Sequence, residues 1–151
     1  MNNNILESAP FWSAFVAIMI AQMIKPIISL CSGDGWNPKL AFSNGGMPSS
    51  HTASVSALSV SIGLENGFSS DIFVLSLVFT LIVMNDAINV RLETGKHSEL
   101  LNQWSEIFSS MFKGFSRQNL KTMVGHTSLQ VFWGVVVGIA IGLIITLGFF
   151  G

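Results

Sequence analysis

The sequence predicts an all-α integral-membrane domain: a bundle of about four transmembrane or re-entrant helices with one amphipathic interfacial helix. Three observations carry this. Of the 151 residues, 50% are hydrophobic and only 10% are charged, where an ordinary soluble domain carries roughly 25% charge. The mean hydropathy is +0.59, and the apolar residues fall in long blocks instead of the spaced stripe of a soluble amphipathic helix. The basic residues gather in one stretch between those blocks. The length sets a single domain over residues 1–151. A net charge of −1 offers no basic field for a phosphate backbone, which excludes nucleic acid as a partner. The single cysteine, Cys31, cannot close an internal disulfide, and no Cys/His cluster has zinc spacing, so no metal or cofactor is expected.

Each element follows from its own residues. Residues 11–30 are apolar except for Ser13, Gln22, Lys25 and Ser29, and at about 1.5 Å per residue they can cross a core of about 30 Å. No positive charge precedes them, and the stretch exceeds a signal-peptide core, so it reads as a retained first helix. Residues 51–64 are short and serine-rich, with Ser50, Ser54, Ala57 and Ser61 on one face, the kind of surface that lets helices approach closely. At roughly 20 Å this segment is short for a full crossing. It reads either as a span or as one arm of a re-entrant hairpin with residues 72–90. Residues 131–150 carry no charge. Gly134, Gly138 and Gly142 line one face of that last helix, which serves either packing within the chain or a homodimer. The thinness of a four-helix bundle points to the homodimer.

Between the third and fourth blocks, residues 91–121 hold five of the seven basic residues, Arg91, Lys96, Lys113, Arg117 and Lys121. Leu100, Leu101, Trp104, Ile107, Phe108, Met111, Phe112 and Phe115 recur there at helical spacing, which describes an amphipathic helix on the membrane surface or against the bundle. This stretch and Lys39 fall on one side of the membrane, with Lys25 at its border. The positive-inside rule makes that side cytoplasmic.

The chemically capable groups share this rim. Gly45-Gly46-Met47-Pro48-Ser49-Ser50-His51 pairs two flexible glycines with a proline-led helix start and hydroxyl caps, a design that favours an anion, phosphate above all. Gly125-His126-Thr127 opens the last helix as His51 opens the second. Asp86 is an acid near membrane depth that needs a partner, with Arg91, Lys25 or a histidine as candidates. Lys25, Lys39, Arg91 and Lys121 can neutralise an anion, and arginine alone offers a planar fork for phosphate. Two histidines, several cations and a helix start are the parts for phosphoryl transfer through a histidine, in which one imidazole attacks phosphorus and the other protonates the leaving oxygen.

Gly45 to Ala53, Asp86-Ala87, Val90-Arg91, Gly95, Leu101-Asn102, Gly125-His126-Thr127, Val131 and Gly134 together resemble the divergent PAP2 family, small membrane proteins related to acid phosphatases and vanadium-dependent haloperoxidases. The resemblance implies a PAP2-like helical core and a metal-independent lipid phosphatase. It assigns phosphate binding to Ser49 and Ser50, the acid to His51 and the nucleophile to His126. Gln130 stands where the wider superfamily has the aspartate that orients the nucleophile. It leaves Lys25 and Lys39 as the phosphate-binding lysines and Arg91 as a ligand from the neighbouring helix. His97, six residues after Arg91, is a rival for the histidine element. The expected partner is a phosphorylated lipid, and the expected location a bacterial inner membrane with the active face cytoplasmic. The alternative function is a non-catalytic module that binds an anionic headgroup or a protein through the same cradle.

Overall fold

The computed structural model describes residues 4–33, 35–43, 45–122 and 125–151, and its regular structure is helical. Five α-helices follow in order: α1 (Ala9–Cys31), α2 (Ser50–Asn66), α3 (Asp71–Asn85), α4 (Arg91–Met111) and α5 (Ser128–Phe149). Short 3₁₀ turns occupy Ile5–Glu7 and Pro38–Phe42. A hydroxyl caps the start of each bundle helix: Ser8 for α1, Ser49 for α2, Ser70 for α3 and Thr127 for α5 each accept a bond from a first-turn backbone N–H.

The bundle is built around α2, which packs on α1, α3 and α5. Its small residues make this possible. Ala53 and Ala57 meet Ala17 and Ala21 of α1, with Val137 and Ile141 of α5 against them. Along α5, a Cβ added to Gly134 or Gly142 would fall 2.7 or 2.9 Å from the carbonyl oxygen of Ser49 or Ala57, and one on Gly138 would collide with that of Ala53. The glycine face, for which the sequence left packing within the chain and a homodimer both open, packs within the chain, where it brings α5 onto the backbone of α2. Hydroxyls stitch the rest together: Ser59 bonds Thr80 of α3 at 2.8 Å, and Thr146 of α5 donates to Ser61 at 2.7 Å. Large side chains such as Phe15, Leu75, Ile144 and Leu147 point outward, the arrangement expected where lipid is the solvent.

Three helices are long and apolar enough to cross a membrane: α1, the continuous helix Asp71–Met111, and α5. At 17 residues, α2 extends only about 25 Å and lies among them. The amphipathic stretch is helical as far as Met111, and α4 continues α3 through one π-turn, Asp86–Val90. The chain then runs back along α4. Asn102 both donates to Leu120 O and accepts from Leu120 N, and Ser105 accepts from the backbone N–H of Gln118. The aromatic rings of Trp104, Phe108, Phe112 and Phe115 cluster near its tip and remain exposed.

Candidate active site

The antiparallel order of the helices brings the C-terminal end of α1, the N-terminal ends of α2 and α5, and the π-turn to one end of the bundle. Lys25 is the deepest charge there, 2% exposed, with Nζ donating to Ser43 O at 2.9 Å. It thereby holds the approach to the Gly45-Gly46 turn, and its methylenes pass under Gly46, whose φ of +88° suits glycine.

Ser49, expected to bind phosphate, is committed elsewhere. It is fully buried, its backbone N–H donates to Gln130 O at 3.0 Å, and its hydroxyl lies 2.9 Å from that of Thr52 while capping α2. Its role is to lock α2 onto α5. Ser50 is buried beside it. His51, one step further on, is exposed and lines a cavity of about 430 Å³. Ile18, Val55, Phe79, Ile82 and Val83 give this cavity apolar walls from three helices, and Ser54, His51, Asp86 and Arg91 give it a polar end.

Asp86 and Arg91 bracket the π-turn and form an ion pair, Nε to Oδ2, at 2.6 Å. The same turn anchors the second histidine: His126 donates its backbone N–H to Ala87 O at 3.2 Å, and Gly125 sits so close to the backbone of Arg91 and Leu92 that no Cβ would fit. The His126 side chain is 2% exposed, and neither ring nitrogen has a hydrogen-bond partner among the described residues. Burial first, and then the nearby charges of Lys25, His51 and Arg91, push its pKa down to about 4. His51 in turn lies within reach of the charges of Arg91, Lys25 and Asp86. The two imidazoles, two cations and one carboxylate thus form one electrostatic cluster.

Four expected residues stand apart from it. Gln130 does not orient the imidazole: its Oε1 accepts from Thr127 N at 3.1 Å, completing a capping box at the start of α5. That role was written in the sequence as Thr127-x-x-Gln130. Lys39 is exposed on the Pro38–Phe42 turn. Lys121 borders a shallow groove with Asn119, Leu120 and Thr122. His97 is exposed on α4, on the segment that leaves the bundle. Sequence reasoning missed Ser54 and the apolar cavity wall. Ser54, three residues after His51, shares its helix face, and that spacing was the available signal.

The sequence matches the divergent PAP2 family over residues 6–141. The chain belongs to that family. A relative within reach of direct alignment is the uncharacterized membrane protein YuiD of Bacillus subtilis (strain 168), 33% identical over 151 residues, covering 93% of this chain and 96% of the relative. No solved structure matches. With three helices fit to cross a bilayer and a relative named as a membrane protein, this divergent PAP2 chain is an integral membrane protein.

Proposed function

We propose that this divergent PAP2 protein is a phosphatase that releases phosphate from a phosphorylated lipid through a phosphohistidine on His126. The observation that carries the reading is the His126 ring, 2% exposed with both nitrogens unpaired among the described residues. Leaving buried polar atoms unpartnered is costly, so a site that tolerates it is one that a ligand completes. With a pKa near 4, the imidazole is neutral and nucleophilic at physiological pH. It attacks phosphorus as the P–O bond to the lipid breaks, and protonated His51 gives its proton to the departing oxygen. Neutral His51 then takes a proton from water as the water oxygen displaces His126, which releases inorganic phosphate. Arg91 and Lys25 supply positive charge for the phosphoryl oxygens. These side chains need no divalent ion for the scheme. A lipid is favoured because the cavity that His51 lines is apolar except at its charged end. The basic loops favour a cytoplasmic active face.

The test is phosphate release from phosphatidic acid, phosphatidylglycerophosphate and polyprenyl pyrophosphate by purified protein in nanodiscs with chelator present. We expect turnover on at least one substrate and none with His126→Ala; equal release by the two proteins overturns the reading. One observation favours the second reading, a non-catalytic headgroup binder. Gln130 is spent on the helix cap, so it places no group behind the imidazole to support a developing positive charge. A binder would hold a phosphorylated lipid as wild type does, and release nothing.

A further inference from the structure

We infer that Asp86 is a positioning residue for Arg91, and that the π-turn between them is the device that aims the arginine fork at the phosphate site. The inference rests on the reading that this cavity receives a phosphoryl group.

In an α-helix, residues five apart point about 140° away from each other. Asp86 and Arg91 would then face different neighbours. A π-turn closes its hydrogen bond between residues five apart and so stacks them on one side. Both consequences are present here. The backbone N–H of Arg91 donates to Asp86 O, and Arg91 Nε donates to Asp86 Oδ2 at 2.6 Å. The side-chain bond uses Nε, which leaves the terminal Nη edge of the guanidinium unspent among the hydrogen bonds of the described residues. That is the edge able to grip two phosphate oxygens side by side. Both side chains line the cavity with His51. They retain 40% and 38% exposure, where a bare ion pair stabilises the fold little. The carboxylate is therefore better explained by the orientation it imposes than by the stability it adds.

The orientation idea and simple electrostatics predict opposite results. If Asp86 only offset positive charge, removing it would strengthen anion binding in every variant. If it aims Arg91, Asp86→Ala weakens binding, while Asp86→Asn, whose amide oxygen still accepts from Nε, rescues most of it. Vanadate and inorganic phosphate titrated into nanodisc-embedded protein, read by calorimetry, give affinities without requiring turnover. We expect Asp86→Ala to lose roughly tenfold in affinity, the scale of one charge-assisted hydrogen bond, and Asp86→Asn to stay within about threefold of wild type. Deleting Asn89 removes the extra residue of the turn; it should lose as much as Asp86→Ala and add nothing to it. Equal or tighter binding by Asp86→Ala, no rescue by Asn, or a wild type that binds neither anion overturns the inference. A wild type that binds vanadate in the expected order of variants but hydrolyses nothing leaves the inference standing and removes the phosphatase reading.

Discussion

The His126 imidazole, enclosed by helix backbone beside cations, cannot readily take a proton. Its pKa near 4 lies below the value of about 6.5 it regains on unfolding. Between those two values the unfolded chain binds the extra proton. Stability therefore falls as pH drops from about 6.5 to about 4 and levels off below that. His126→Gln, which cannot titrate, should flatten this slope in thermal unfolding followed between pH 4 and 7 in detergent; an unchanged slope would mean the ring is not held neutral. On the phosphatase reading, the same shift puts the acid limb of turnover near pH 4. The neighbouring residues show what one sequence can and cannot disclose at this scale. His51, Arg91, Asp86, Lys25 and His126 were legible because each is a costly group near an apolar block, and all five converge. Ser49, read both as a cap and as a phosphate ligand, and Gln130, read in the place of the orienting aspartate, both make helix-capping bonds, and residue type alone does not separate such roles. Only the bonds to Thr52 and Thr127 separate the two roles.

Among the elements, the contact of α2 with α5 sets the geometry of the site, since it carries His51 and His126 on the facing ends of two helices. Gly138 is its tightest point, with no room for a Cβ against Ala53 O, whereas Gly148 on the same helix has nothing within 4 Å. Gly138→Ala should cost about 1–3 kcal/mol through forced separation of the helices, despite alanine's better helix propensity. Gly148→Ala should be neutral or slightly stabilising. Thermal or SDS-induced unfolding in detergent checks the pair, and similar effects at both positions would contradict the packing described. The small-residue faces of both helices were readable from their four-residue spacing, but not which partner they would meet. The passage of α3 into α4 was not readable, because one extra residue in a helical turn leaves no compositional mark. The doubling back of residues 112–122 was hidden for a related reason: its hold on Asn102 and Ser105 is made by backbone groups.

For the whole molecule, the cluster of His51, Asp86, Arg91, His126 and Lys25 lies at one end of the bundle, so the membrane orientation decides which compartment that cluster faces. Single cysteines at Lys39 and Gln118, in a Cys31→Ser background, should be labelled by an impermeant maleimide from the same side of sealed vesicles, and one at Ser69 from the other. The excess of Lys and Arg predicts that the first pair is cytoplasmic; labelling of all three from one side would overturn the topology. Among the described residues, the buried apolar side chains other than proline are six alanines and one valine, Val131, while many leucines, isoleucines and phenylalanines face outward. Fluid hydrocarbon accommodates almost any greasy shape, so the exterior is free to drift. An enlarged alanine within has nowhere to go. Distant descendants of this chain should thus be recognisable by their smallest residues, long after the bulky ones have been shuffled beyond alignment.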